Sequence, residues 1–400
     1  MATTGIEWRP YVLTDPLAST IASLHDVLRS CEDEAEAKRF LPDRAVAALR
    51  DAGVFRISSP RAVGGMEADP LLEMEVFEAV TRISPSAGWN TFVGALHTAF
   101  PAAYLSDEAT ATMFGGDEWG IDAGQMQPMG IGREVDGGMV VNGRYSWGSG
   151  INHASWVLGG ARMDNGDGKP PSGFRVFVVP KARVNVLDNW HVVGVSGSGS
   201  YDYAVEDVFV PDAFWFDFVD PVVRRGGPRY APPIGQQLTS AHCGFALGAG
   251  ERALEEITRL AIVKQRTLSS TKLAERSTFQ HELGHAYARL SAARDHAANA
   301  LRELGRQRAE QLTVPDVLAT EVRAAATLAT EVALDVALFA MRHGGGGAVR
   351  LDSAIQRLTR ELLVAQSHIH VAEVNYEKLG IALLVAEGAH GLGETFVGFR

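Results

Sequence analysis

Cysteine and clustered basic residues are both scarce in this sequence. The 400 residues contain only two cysteines, Cys31 and Cys243, far apart in the chain. This argues against a disulfide framework and a thiolate metal site, and it fits a reducing compartment. The net charge is -11 and no basic run occurs. Nucleic-acid binding is therefore not expected, because phosphate contacts need clustered lysine and arginine.

Long apolar runs are lacking as well. No uncharged apolar stretch reaches the roughly 18 residues of a membrane span, so we predict no transmembrane helix. The first residues, MATTGIEWRPYV, have no apolar core of the kind found in signal peptides. A cytoplasmic location is the resulting expectation.

Helical and β-type patterns divide the chain into three parts. Apolar residues recur at three- and four-residue spacings before residue 119, and short β-branched runs broken by glycine and proline follow. The last part is rich in alanine, leucine, glutamate and arginine, and predicts helices over 236–267, 271–306, 315–343 and 352–388. We predict an N-terminal helical domain, a central β domain and a C-terminal helical domain over 1–118, 119–231 and 232–400.

This order of elements disfavours a dinucleotide-binding Rossmann fold. Strands and helices do not alternate, and the glycine cluster at 194–199 lies between strands instead of opening a helix. No nicotinamide-binding motif is therefore identified.

Four segments, in order, resemble the acyl-CoA dehydrogenase superfamily. The first-domain signature is matched by residues 48–89, and two β-domain motifs by VNGRYSWGSGINHASWVLGGAR and WHVVGVSGSGSYDYAVEDVFVP. The C-terminal "G-G-x-G...R-x-x-R-(D/E)" motif is matched by RHGGGGAVRLDSAIQRLTREL, with Glu361 where relatives usually have aspartate. The resemblance implies an α+β fold with an N-terminal helical domain, a central β-barrel or sandwich and a C-terminal four-helix bundle.

Within that superfamily, the details resemble the two-component flavin-dependent monooxygenases. The T-E-P-x-x-G-S-D run usual in dehydrogenases is missing from residues 123–130. The dehydrogenase glutamate base should lie nine residues after Arg360, where this chain has Ile369. The oxygenases carry a histidine eight residues after that arginine, and His368 occupies the place. His370 stays open as an alternative, because the alignment can slip.

The resemblance implies three catalytic residues. Ser149, in the Trp147–Gly150 turn, would hydrogen-bond the N5/O4 edge of the flavin, with Ser146 as the weaker alternative. His97, in the apolar segment FVGALHTAF, would lie beside the substrate and transfer protons near neutral pH. His368 would lie beside flavin C4a, on one helix face with Arg360.

Further positions resemble flavin-binding residues of the family. A guanidinium suits a pyrophosphate and an aromatic ring suits an adenine, often across a subunit boundary. Glycines allow close approach of the backbone to a cofactor. The cofactor-binding positions expected are Trp147, Ser149, Arg266, Phe279, Gln280, Gly345 and Gly346, and no metal ligand is expected.

One motif is typical of a different class of enzyme, the zinc hydrolases. His281, Glu282 and His285 match H-E-x-x-H, which on a helix can bind zinc with the glutamate as base. The extended metzincin pattern fails, because Ala288 and Ser291 occupy the further glycine and histidine positions. A zinc hydrolase is therefore kept only as an alternative.

The expected function is a monooxygenase that takes reduced FMN or FAD from a separate flavin reductase and reacts with oxygen through a C4a-hydroperoxyflavin. Its substrate would be an aromatic or heteroatom-containing small molecule, and the resemblance implies a homotetramer. Alternatives are an acyl-CoA dehydrogenase with its base at Glu373 or Glu377, and a family member that only binds. The substrate and the choice between FMN and FAD stay open.

Overall fold

A computed structural model describes residues 17–166, 168–231, 234–265 and 270–392. The first part is helical, as predicted. Its helices are α1 Leu17–Ser23, α2 His25–Ser30, α3 Glu32–Lys38, α4 Asp43–Asp51, α5 Pro70–Ile83, α6 Pro85–Tyr104 and α7 Asp107–Phe114.

The starts of α5 and α6 follow from local sequence. Asp69 caps α5 by accepting hydrogen bonds from the backbone of Leu71 and Leu72, and proline follows at the first helical position. Ser84 and Pro85 repeat the arrangement at α6. Nearly every residue of α6 is buried, so this helix lies in the middle of the fold and not at its surface.

The central strands pair into one mixed sheet. The strands are β1 Asp122–Val135, β2 Gly138–Gly148, β3 Trp156–Asp164, β4 Ser172–Pro180, β5 Asn185–Leu187, β6 Tyr201–Pro211 and β7 Trp215–Asp217. Their order in the sheet is β5-β6-β2-β1-β3-β4-β7. Only β1 and β3 run parallel, and the other pairs are antiparallel.

Hydrogen bonds fix the sheet against α6. The backbone N–H of Asp122, at the start of β1, donates to the Thr98 hydroxyl on α6 at 2.9 Å. The sheet core contains the stacked rings of Tyr145 and Tyr203, 5.0 Å apart. The Tyr203 hydroxyl donates to the Leu158 carbonyl at 2.6 Å. The start of β1 is thereby held next to the buried helix.

The C-terminal part contains α8 Thr239–Val263, α9 Ser277–Ala309, α10 Asp316–Gly344, α11 Ala354–Ala365 and α12 Val374–Ala386. Together α8, α9 and α10 enclose a large apolar core, with α5 packed on α8. The segment Asp316–Gly347 is long and apolar enough to cross a membrane, but 72% of its apolar window is buried inside the fold. Core helices pass the same test.

The prediction of one helix over 352–388 is wrong. The chain leaves α11 at Ala365, forms a short 3-10 turn at Ile369–Val371 and starts α12 at Val374. No proline or glycine marks this break. It is stabilised by the buried Asn375, whose amide donates to the His370 carbonyl at 2.9 Å and to the Thr327 hydroxyl at 3.0 Å.

Candidate functional site

The break between α11 and α12 brings His368 into the interior. The prediction that His368 shares a helix face with Arg360 is wrong. His368 has an extended backbone with φ -76° and ψ 137°. Its ring centroid lies 4.3 Å from that of His242 on α8 and 5.2 Å from that of His370. The Trp89 indole of α6 lies 6.0 Å away. Burial lowers the pKa of His368 to about 4, so the ring is neutral at pH 7.

His97 and His370 belong to the same cluster of imidazoles. Burial and then the neighbouring His368 lower the pKa of His97 to about 4. The His97 Nδ1 atom is buried without a hydrogen-bond partner among the described residues. Burial, with smaller effects of His368, Arg323 and His97, lowers the pKa of His370 to about 3. These neutral rings can each donate one hydrogen bond and accept another.

Ser149 is connected to this cluster through Trp89. The Trp89 indole N–H donates to the Ser149 hydroxyl at 3.2 Å. Ser149 Oγ lies 2.6 Å from Ser200 Oγ, which lies 2.6 Å from Ser198 Oγ. Ser149 is only 7% exposed. The chain of hydroxyls fixes its position, and the Trp89 indole lies between Ser149 and the imidazole of His368.

Trp147 and Ser149 together fit a planar heterocycle. Trp147, the second-last residue of β2, has a left-handed φ of 64° and is 60% exposed. An exposed indole is a stacking surface, and the hydroxyl two residues later can hydrogen-bond a ring edge. The buried Gln125 Oε1, on β1, has no partner among the described residues. These features are consistent with a bound flavin, whose contacts with Trp147 and Ser149 stay a prediction.

Four other predicted flavin-binding residues, Phe279, Gln280, Gly345 and Gly346, lie at the start of α9 and directly after the end of α10. The Phe279 ring is buried against Phe339 and His343, at centroid distances of 5.7 and 5.2 Å. Gln280 uses its amide to donate to the Ala274 carbonyl at 2.8 Å. Arg266 lies outside the described residues.

The predicted glycines follow α10 directly. Gly345 has a left-handed φ of 58°, and a Cβ there would lie 3.2 Å from Lys264 Nζ. A Cβ at Gly346 would meet no atom within 4 Å, so this backbone is open to a ligand. No described hydrogen bond or ring contact joins this region to Ser149 or His368, and its role stays a prediction.

The R-x-x-R-E motif connects elements that surround the site. The Glu361 carboxylate accepts a hydrogen bond from the Val195 backbone at 2.7 Å, and Arg360 donates to the Val193 carbonyl at 2.7 Å. Burial raises the pKa of Glu361 to about 7. Arg357 pairs with carboxylates of α3. The motif therefore joins α11 to α3 and to the loop that leads to Ser198 and Ser200.

The H-E-x-x-H residues lie on the outside of α9. His281 and His285 are exposed, and Glu282 accepts a hydrogen bond from His343 Nε2 at 2.9 Å. Within the described ranges, no group of three histidine, cysteine or acidic residues is arranged to hold a metal. Nothing in this geometry favours the zinc alternative.

The carboxylates of the dehydrogenase alternative are also peripheral. Glu373 and Glu377, at the start of α12, are both exposed. The ring contacts of His368 are with Trp89, His242 and His370. A base that removes a proton from an acyl thioester needs a carboxylate at the reacting atoms, and neither glutamate is among these contacts.

A buried histidine next to the Ser149 turn should make stability depend on pH. His153 has a buried Nε2 without a partner in the described part of the chain. Its pKa is lowered by burial, then by Arg50 and Lys181, from 6.5 to about 3. The unfolded chain therefore takes up a proton first as the pH falls. The stability contributed by neutral His153 is complete above about pH 6.5 and is lost towards lower pH.

The His153 ring centroid lies 5.7 Å from that of Phe55, so a phenylalanine ring suits this position. We expect His153→Phe to remove the pH dependence. Relative to the variant, the wild type should lose about 2–3 kcal/mol of unfolding free energy between about pH 7.5 and about pH 4.5. Urea unfolding of both proteins at both pH values measures the difference. Comparing the wild type with the variant cancels the contribution of buried carboxyl groups, whose effect on the pH dependence has the opposite sign. His281→Phe is the exposed control. A pH-independent difference would mean that His153 is not held neutral in the fold.

Sequence reasoning missed three residues of the site, namely Trp89, His242 and Ser200. Trp89 ends a segment that resembles a family signature, yet its indole N–H was given no role. His242 lies in the apolar run SAHCGFALG, and the same reasoning that singled out His97 could have found it. Ser200 carried no signal, because its contact with Ser149 depends on the pairing of β2 with β6.

The family model for the acyl-CoA dehydrogenase C-terminal domain matches residues 240–373. The oxygenase subunit HsaA of a flavin-dependent monooxygenase from Rhodococcus jostii is 34% identical over 245 residues. That alignment covers 58% of this chain and 63% of the relative, so the chain spans less than two thirds of it. The oxygenase component of an FADH2-dependent resorcinol hydroxylase from Rhizobium is 27% identical over 91% of this chain and 92% of its own length.

Solved structures agree with the fold. XiaF from Streptomyces, in complex with FADH2 and glycerol, superposes with a TM-score of 0.86. It is 23% identical, and the superposition covers 92% of this chain and 95% of XiaF. Residues 240–373 thus match the acyl-CoA dehydrogenase C-terminal domain, and the chain as a whole is similar to oxygenase components of flavin-dependent monooxygenases.

Proposed function

We propose that this chain is the oxygenase component of a two-component flavin-dependent monooxygenase. Its substrate is an aromatic or heteroatom-containing small molecule. The observation that carries the proposal is the arrangement of Ser149 and His368 around the Trp89 indole. The Ser149 hydroxyl and the neutral imidazole of His368 thereby both adjoin one buried indole.

The cofactor is reduced FMN or FAD. Trp147 and Ser149 would hold the ring system, and the glycines at 345 and 346 would allow the backbone to approach the remainder. A separate flavin reductase supplies the reduced form, because no nicotinamide-binding motif was identified in the sequence. When bound, reduced flavin supplies oxygen activation as a C4a-hydroperoxyflavin. The named relatives that use or bind FADH2 support this assignment.

The residues of this chain provide a largely apolar surrounding for that chemistry. His97, His242 and His368 are held neutral by burial, and Trp89 and Phe92 pack against His242. Excluding water prevents loss of reactive intermediates. A neutral imidazole can still move a proton at its ring nitrogen when the substrate requires it.

Several exposed apolar side chains suit the homotetramer that we propose. They lie on the C-terminal helices α10, α11 and α12, and comprise Leu338, Leu363, Leu383, Leu384 and Val385. Clustered exposed apolar surface of this kind typically marks an interface between chains.

Rapid mixing tests the function directly. Protein loaded anaerobically with reduced FAD, and separately with reduced FMN, is mixed with oxygenated buffer while absorbance is recorded. We expect a long-lived flavin adduct before oxidised flavin returns, because the buried pocket slows its decay. Direct reoxidation without an adduct, together with flavin bleaching by acyl-CoA under anaerobic conditions, would instead identify a dehydrogenase.

A further inference from the structure

A histidine of α8 extends into the pocket beside the predicted catalytic residues. His242 is one turn into α8, and its ring centroid lies 4.3 Å from that of His368 and 5.6 Å from that of His370. From α6, Phe92 and Trp89 approach the same imidazole at 5.4 and 6.1 Å. His242 therefore lies where α6, α8 and the turn between α11 and α12 meet.

His242 is buried among groups that do not satisfy it. Only 4% of its surface is exposed, and no hydrogen bond joins its ring to any residue in the described part of the chain. The groups that face it are two aromatic rings and two other imidazoles, and burial lowers its pKa well below the usual value. No carboxylate is among these contacts, so an ion pair does not explain its presence.

In the described part of the chain, the ring nitrogens of His242 are not among the fully buried polar atoms that lack a partner, so they keep access to the space around the imidazole cluster. Polar groups inside native proteins are usually paired with protein, water or ligand. A phenylalanine or leucine would fill the same space between Trp89 and Phe92 without needing such a partner. The imidazole is therefore explained best by a ligand group that pairs with it.

We propose that His242 contacts the substrate directly and hydrogen-bonds a hydroxyl group on its aromatic ring. The inference rests on the proposed function for the identity of the pocket. A neutral imidazole offers one donor and one acceptor nitrogen, and a hydroxyl can pair with either because it both donates and accepts. A thioether sulfur is only a weak acceptor. His242 thereby favours hydroxyl-bearing rings over rings without a polar substituent.

Two ligands that differ only in the hydroxyl test the contact. 4-Cyanophenol and benzonitrile are titrated by calorimetry into protein loaded anaerobically with reduced FAD. We expect the wild type to bind the phenol more tightly. His242→Phe, which keeps a ring of similar size, should lower the phenol-to-nitrile affinity ratio about tenfold, the value of one net hydrogen bond. His242→Gln, which keeps a donor and an acceptor, should retain most of the ratio.

Equal affinity of the wild type for both ligands, or an unchanged ratio in His242→Phe, would overturn the proposal. An unchanged ratio is also what a purely packing role of His242 predicts. His281→Phe is the matched control on an exposed helix face. His242→Leu replaces His242→Phe in the comparison if the latter does not fold. Mixing the same preparations with oxygen tests the proposed function separately, because a missing adduct in the wild type removes that function without changing the affinity ratio.

Discussion

Replacement of His368 by alanine is expected to increase the decay rate of the flavin adduct about a hundredfold, the usual cost of removing one preorganised donor at a reacting centre. His368 lies as a partly buried, neutral imidazole beside His242 and Trp89. Alanine removes its hydrogen bond and opens space for water, and both changes shorten the life of the adduct. Stopped-flow absorbance after mixing with oxygen measures the decay.

Two histidine variants serve as comparisons. His281→Ala, on the exposed side of α9, should leave the adduct lifetime unchanged. His370→Ala tests the other histidine of the turn. The backbone N–H of His370 donates to His368 Nδ1 at 3.3 Å, and this hydrogen bond is kept when only the side chain of His370 is removed. A larger effect of His370→Ala than of His368→Ala would reverse the assignment and identify His370 as the residue that faces the flavin.

Gly248→Val should reduce the unfolding free energy by about 3 kcal/mol or more, the upper range for forced overpacking. A Cβ at Gly248 would lie 2.3 Å from the Glu78 carbonyl oxygen and 2.9 Å from Thr81 Cβ. A Cβ at Gly244, one turn earlier, would lie 2.5 Å from the Met74 carbonyl oxygen. The obstacle is therefore the backbone of α5, which cannot rotate away, and the two helices must separate. Thermal unfolding followed by circular dichroism measures the loss.

The matched control for helix propensity is Gly284→Ala in α9. A Cβ at Gly284 would meet no atom within 4 Å, so only the conformational freedom of glycine changes. The variant should gain about 0.5–1 kcal/mol. A Gly248→Val protein as stable as the wild type would mean that α5 and α8 are not in close backbone contact.

The motif pattern predicted much of the fold. Asp69 and Pro70 start α5, and such a start can be read from the sequence because capping depends on adjacent residues only. The predicted region of strands forms the sheet. The resemblance inferred from four ordered motifs is confirmed by the match of residues 240–373 to the acyl-CoA dehydrogenase C-terminal domain and by the similarity to flavin-dependent monooxygenases.

The helix predicted over 352–388 shows where local pattern fails. The residues of 366–373 carry neither proline nor glycine, so propensity alone extends the helix through them. The break depends on Asn375 and Thr327, which lie 48 positions apart and meet only after α10 and α12 have packed. Long-range contacts of this kind override weak local preference.

The sequence by itself determined the resemblance to the acyl-CoA dehydrogenase superfamily, the order of helical and β parts, and the lack of a glutamate at the position where that resemblance places the dehydrogenase base, which is Ile369. These depend on residue identity and short spacing. Only the tertiary structure decided which side chains share the pocket. Trp89, Ser149, Ser200, His242 and His368 come from five separate elements or turns, and burial holds the histidines neutral. Proximity and desolvation are properties of the packed chain, because they depend on neighbours that are distant in sequence.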